Sequence, residues 1–328
     1  MRRFALSISV EMNNRYSVLK IAVSVIATTF VVRRLLQKPK VVAGQVVIIT
    51  GASSGLGLAL AHRFGHAGLK LVLAARSRDD LDLARKELLD VGSVANEDDI
   101  LLVACDVSDK HQVSGLIAAA LESFGALDIL INNAGIIEVG PAEDQTVEVF
   151  ERAMAIDFFG ALYATYAALP CMLRRREGAI VNISSIGGKI AVPHLLPYVS
   201  AKFALTGFSE GLHAELRHKG IRVTTVCPGL MRTGGEAHAQ FAGQVDKEKV
   251  WFQTAARTPL ISANVHHAAS LVFNAVNAGR AEITITPQAW LAALFVGCAP
   301  EATQAISALI STYVLPDSAP REEMSNFS

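Results

Sequence analysis

The sequence predicts a doubly wound α/β fold: one parallel sheet of about seven strands, with helices on both faces. Three observations carry this. Seven short apolar, β-branched runs recur between residues 45 and 286. Amphipathic, helix-like stretches separate most of them. The first run leads into the glycine-rich turn TGASSGLG (50–57), and a helical pattern follows at once. Strands apolar on both faces belong in a covered parallel sheet, and right-handed crossovers then place helices on either side.

The elements follow in order. The strands are QVVIIT (45–50), LKLVLAA (69–75), ILLVACDV (100–107), DILINNAG (128–135), AIVNISS (179–185), IRVTTVCPG (221–229) and AEITIT (281–286). The stretch SRDDLDLARKELLDVG opens with Ser77 and Asp79 as helix-cap candidates and ends at Gly92. The segment from Thr146 to Gly178 is long and mostly apolar, which suits a helix buried on several sides or used for association. LPYVSAKFALTGFSEGLHAELRHKG is a second long helix, ending at Gly220. Residues 234–258 break the alternation and predict an irregular or helical insertion without a strand. The tail, 287–316, is strongly apolar. Packing on the core is its default, with oligomerisation or membrane contact as alternatives. Three regions result: a basic and apolar N-terminal segment (1–40), a main domain (41–286) and an apolar C-terminal extension (287–328).

Composition narrows the function classes. The chain is 51% hydrophobic and 18% charged, enough apolar matter for a sizeable core. Lys+Arg and Asp+Glu are both 30, which gives no footprint for nucleic acid. The four cysteines are far apart and form no metal-binding spacing, so no metal site is expected. Buried free thiols in a reducing compartment are the expectation. In residues 1–40 many basic residues face a single acid, Glu11. The uncharged run Ile21–Val32 is shorter than the roughly 20 residues a spanning helix needs. Residues 18–36 are read as a membrane anchor or interfacial helix, with Lys20, Arg33 and Arg34 snorkelling to the interfaces, or else as a targeting segment or a plain N-terminal helix. The basic cluster after the run favours membrane association with a cytoplasmic catalytic domain, and Arg2, Arg3 and Arg15 before it weaken that reading. A plain cytoplasmic location is the alternative.

Chemistry enters at three places. A strand, glycine turn and helix in succession suit a pyrophosphate, because glycine lets backbone approach a ligand and helix N-terminal amides favour anions. The second strand ends in Arg76 where an acidic residue would mark a ribose 2′-hydroxyl, and a cation there suits a 2′-phosphate. NADP(H) is expected over NAD(H). In YVSAK, Tyr198 and Lys202 are four apart and share one helix face. An ammonium beside a phenol stabilises the phenolate and makes tyrosine usable as an acid or base.

Taken together these residues resemble the short-chain dehydrogenase/reductase family over residues 45 to about 285, and its hydroxysteroid-dehydrogenase-like branch most. The resemblance implies a Rossmann fold. It implies a cofactor site of Gly51, Ser53, Ser54, Gly55, Leu56 and Gly57 in the turn, Arg76, Asp106 and Val107 near the adenine, and Asn133, Ala134 and Gly135 of NNAG. Pro228, Gly229 and Thr233 match a P-G-x-x-x-T segment whose threonine binds the nicotinamide carboxamide. The implied catalytic set is Ser185, Tyr198 and Lys202. Ser185 is preferred to Ser184 because it stands thirteen residues before Tyr198, the family's usual separation. Tyr198 and Lys202 would also contact the cofactor. One departure is present: Asp157 occupies the place of an asparagine that helps hold a water in the proton relay. An ionised Asp accepts hydrogen bonds but donates none. It is expected to join the catalytic machinery by pairing with Lys202 and changing the pH dependence.

The reading is an NADP(H)-dependent oxidoreductase that interconverts a carbonyl and a secondary alcohol on a hydrophobic, lipid- or steroid-like substrate. The alternative is a non-catalytic NADP(H)-binding or interaction protein on the same fold. An extended-branch epimerase is disfavoured, since the turn is not G-x-x-G-x-x-G. The family habit implies a homodimer or homotetramer through helices near 147–176 and 195–219. His194 is read as a pocket wall or an ordinary loop histidine.

Overall fold

Val46–Thr50 (β1) is buried at all five positions, as a strand covered on both faces must be. In the computed structural model, residues 41–232, 239–258 and 262–319 are described. The expected anchor over 18–36 and the threonine at 233 lie outside the described residues. The chain divides into two units, Met1–Lys40 and Val41–Ser328. The second unit holds the sheet and its helices.

From β1 the chain turns into α1 (Gly55–Gly65), then β2 (Lys70–Ala75), α2 (Arg78–Asp90), β3 (Ile100–Ala104), α3 (Lys110–Phe124) and β4 (Ile129–Asn132). The second half continues with α4 (Val147–Arg175), β5 (Gly178–Ile183), α5 (Leu196–Leu216), β6 (Ile221–Pro228), α6 (Val245–Arg257), α7 (Val265–Ala278) and β7 (Glu282–Ile285). The tail forms α8 (Pro287–Cys298) and α9 (Pro300–Tyr313). All seven expected strands join one parallel sheet in the order β7-β6-β5-β4-β1-β2-β3. Neighbouring residues of β1 feed opposite faces. Ile49 packs with Leu60, Phe64, Val272 and Phe273 of α1 and α7. Ile48 packs with Leu116, Met172 and Leu212 of α3, α4 and α5.

Local chemistry sets the ends of the helices. The Ser77 hydroxyl accepts from Asp80 N at 3.1 Å and caps α2, and Gly92 follows with φ +71°. The α4 helix is long and apolar enough to cross a membrane by length and composition. It is nevertheless a core helix, with Ala164, Thr165, Ala168, Cys171 and Met172 buried. It contains one π-helical turn, Ala155–Phe159.

Two expectations need correction. The insertion does contain a strand: Gln240–Phe241 pairs in parallel with Glu138–Val139. A second short pair joins Leu230–Arg232 to Ser262–Asn264. Two- and three-residue strands are too short to carry a period. The tail does not pack into the core either. Only Ala289 of α8 is buried, and no residue of α9 is. Trp290, Leu291, Leu294, Phe295, Ile306, Leu309 and Ile310 are exposed.

Candidate active site

The strand order reverses between β1 and β4, and ligands of doubly wound sheets bind at the carboxyl ends of the strands beside such a reversal. Thr50 ends β1 and ties the two strands together there. Its hydroxyl accepts from Asn133 N (2.9 Å) and Ala134 N (3.0 Å). The Asn133 side chain returns the contact, donating to Thr50 O (2.9 Å) and Gly51 O (3.1 Å). Gly51 and Gly55 have φ of +63° and +55°, conformations that favour glycine. A Cβ on Gly57 would lie 2.0 Å from Gly51 O, so helix and turn meet backbone to backbone.

The cradle fits a pyrophosphate. Ser54 is exposed, and its side chain makes no capping bond to α1, which leaves the hydroxyl and the N-terminal amides available to an anion. Ser53 is half-buried beside it, and Leu56 is buried beneath. Arg76 follows β2 directly, is exposed, and makes no ion pair among the described residues. Arg78 is engaged elsewhere, with Asp82 and with Leu102 O. Asp106 closes a turn through Ser108 N and Oγ (2.9 and 2.8 Å). Val107 is buried where Gly160 leaves room for it. Pro228 ends β6, and Gly229 N donates to Ile285 O at 3.1 Å.

The two serines after β5 face different partners. Ser184 turns inward, donating to Lys202 O (3.1 Å) and bonding Thr206 Oγ1 (2.7 Å). Together with the Asn182–Ser209 bond (3.0 Å) this pins α5 against the sheet. The Ser185 hydroxyl accepts from Gly187 N (3.0 Å) and hydrogen-bonds Tyr198. One turn along α5, Lys202 Nζ donates to Ile183 O (3.1 Å) and lies 5.5 Å from the Tyr198 ring centre. Asp157 sits in the π-turn of α4. Its Oδ1 accepts from Ile136 N (3.1 Å) and stands 3.4 Å from Lys202 Nζ. A Cβ on Gly135 would lie 2.5 Å from that oxygen, so glycine permits the approach.

Charge states follow from burial. Burial pushes the Asp157 carboxyl up to about 6, against the opposing pull of Lys202 and the Ile136 N–H. Burial acts to lower Lys202, but its partners, Asp157 first and Tyr198 after it, outweigh it, and the ammonium is held above its ordinary value. Tyr198 is raised, first by burial and further by Asp157, against Lys202 and the Ser185 bond. The ammonium alone was expected to lower the phenol, but burial outweighs it.

Sequence reasoning missed a clasp beside this site. His194 is buried with φ +63°, and its Nδ1 lies 2.8 Å from Glu248 Oε1. Trp251 Nε1 donates to Glu248 Oε2 at 2.6 Å. The loop before Tyr198 is thereby fixed to α6. A cleft of about 420 Å³ adjoins it, lined by Pro141, Val192, Leu196, Ser307 and Ser311 among others. An acid, Glu248, next to aromatic Trp251 and Phe252 was the only sequence signal for the clasp.

Comparison with known proteins decides the family. The short chain dehydrogenase family profile matches residues 45–241. The chain belongs to the short-chain dehydrogenase family. Among curated relatives of this dehydrogenase, a "Dehydrogenase/reductase SDR family protein 7-like" of Anopheles gambiae is 38% identical over 77% of this chain and 78% of its own length. The mouse "Dehydrogenase/reductase SDR family member 7B" is 36% identical over 77% of each. Solved structures agree on the fold. A short-chain dehydrogenase/reductase from Burkholderia phymatum in complex with NAD superposes with TM-score 0.73 at 27% identity, over 80% of this chain and 96% of that one. A variant of actinorhodin polyketide ketoreductase with NADPH gives 0.64 at 30% identity, over 74% and 95%. This short-chain dehydrogenase is an oxidoreductase built for a nicotinamide cofactor.

Proposed function

We propose that this dehydrogenase uses NADP(H) to interconvert a carbonyl and a secondary alcohol on a hydrophobic substrate. The observation that carries the reading is the convergence of Ser185, Tyr198 and Lys202, with Ser184 turned away to hold α5. The turn from Gly51 to Gly57, with Asn133, Ala134 and Gly135 behind it, holds the pyrophosphate. Asp106 and Val107 border the adenine, and Pro228 and Gly229 border the nicotinamide end. Arg76 supports NADPH, being an exposed cation free of ion pairs among the described residues. When bound, the cofactor supplies or removes a hydride. Ser185 orients the substrate oxygen, Tyr198 gives that oxygen a proton or takes one from it, and Lys202 keeps a positive charge beside the phenol.

The exposed apolar tail supports a hydrophobic substrate and membrane association, and the basic cluster after Ile21–Val32 supports a cytoplasmic side for the catalytic domain. Phe159, Tyr166 and Phe203, exposed on α4 and α5, support a homodimer or homotetramer through those helices.

A panel of carbonyls and alcohols, run with both cofactors, tests the reading. Turnover is expected with NADPH and to fall below detection in Tyr198→Phe. Arg76→Asp is expected to shift preference toward NADH. Cofactor fluorescence that responds to binding, with no turnover across the panel, would instead identify a non-catalytic binding protein.

A further inference from the structure

Asp157 and Lys202 form an ion pair that the protein interior almost wholly excludes from water: they are 1% and 4% exposed. The pair is held from three sides. The π-turn presents Asp157, Gly135 leaves room for its Oδ1, and Ile136 N binds the same oxygen. π-Turns inside α-helices occur often at functional sites. The other oxygen, Oδ2, has no hydrogen-bond partner among the described residues.

An ammonium beside a phenol favours the phenolate, whereas a carboxylate paired with that ammonium offsets the help. We infer that Asp157 is a positioning residue that offsets the charge of Lys202 and so reinforces burial in holding the proton on Tyr198, biasing the site toward carbonyl reduction. The inference rests on the proposed role of Tyr198 as proton donor. In that direction the substrate carbon accepts a hydride and the C=O π bond breaks. Its oxygen takes the Tyr198 proton, and the resulting phenolate is reprotonated from solvent.

The neighbouring charges agree. Lys202 and Tyr198 face Asp157 from α5. Glu138 faces it from the short strand before α4, and is itself neutralised by Arg152 (Nη2 to Oε1, 2.7 Å). Around Tyr198 stand the Ser185 hydroxyl and, from β6, Cys227, whose thiol burial pushes up to about 12. No second cation offsets Asp157 among these groups. With its carboxyl near 6, Asp157 is mostly ionised at neutral pH and able to act.

The test is Asp157→Asn, which keeps the shape and removes the charge. Tyrosinate absorbance of the cofactor-free protein, with the Tyr198→Phe trace subtracted, reads the ionisation of Tyr198 directly. The Asn variant should ionise Tyr198 about one pH unit lower. The alkaline limb of kcat for reduction should move the same way, and the oxidation-to-reduction ratio at neutral pH should rise about tenfold. An unmoved tyrosinate step overturns the inference. Melting by circular dichroism and NADPH fluorescence confirm folding, and Asp157→Ser provides the same charge removal should Asn disturb the π-turn. Full turnover in Tyr198→Phe would sink the proposed function instead, which separates the two failures.

Discussion

Asp157 holds a proton more readily in the folded chain than in the unfolded one. Burial raises its carboxyl from 3.8 to about 6. Between those values the folded state carries the extra proton, so stability declines as pH rises through the window. Lys202 is also raised, but its contribution is present below its ordinary value of 10.5 and is lost only at higher pH, outside this window. Asp157→Asn should therefore gain melting temperature relative to the parent from about pH 4 to about pH 6, and hold a constant difference to about pH 8. Parallel melting curves across the whole range would reject this. At the same scale, most of the site was readable. Four-residue spacing placed Tyr198 and Lys202 on one helix face, and the resemblance to the family, through its usual separation from the tyrosine, favoured Ser185 over Ser184. The physical reason for that separation, the inward bonds of Ser184 to Lys202 O and Thr206, lies in three dimensions only. The His194–Glu248 pair escaped notice because its partners are 54 residues apart and belong to no local pattern.

The unit formed by β1, the turn and α1 works because two backbones touch. A methyl at Gly57 would press on Gly51 O at 2.0 Å and on Asn133 Nδ2 at 2.7 Å, the group that fastens the turn to β4. Gly57→Ala is expected to cost about 1–3 kcal/mol in urea unfolding and to abolish the NADPH fluorescence response. Gly92→Ala is the control: its Cβ would meet nothing within 4 Å, so only the strain of φ +71° is added, and cofactor binding should survive. Wild-type affinity in Gly57→Ala would show that the turn does not hold phosphate. Elements of this kind were legible because a long buried strand leaves a continuous apolar run and glycines mark its end. The Gln240–Phe241 strand and the π-turn left no such trace. The strand is set by a partner far along the chain, and the π-turn by one extra residue, whose phase shift is hard to read in a helix as broadly apolar as α4.

Across the whole molecule, apolar matter is distributed unevenly. The sheet is sealed on both faces, while α8 and α9 carry Trp290, Leu291, Leu294, Phe295, Ile306, Leu309, Ile310 and Tyr313 exposed. Apolar composition foretold helices in the tail but not where their apolar faces would point, since burial depends on a neighbour and composition names none. Leu291→Gln combined with Leu294→Gln keeps good helix formers and removes exposed apolar surface. Unfolding free energy should stay within about 0.5 kcal/mol of the parent, and the concentration at which the protein aggregates should rise. A large loss of stability would mean these leucines are packed. The same uncovered tail has a practical consequence for anyone handling the protein. Fluorescent dyes that light up on apolar surface normally report loosened, partly unfolded states. Here they would glow on the intact native fold, so a dye-based melting curve would begin from a bright baseline and conceal the transition it was meant to show.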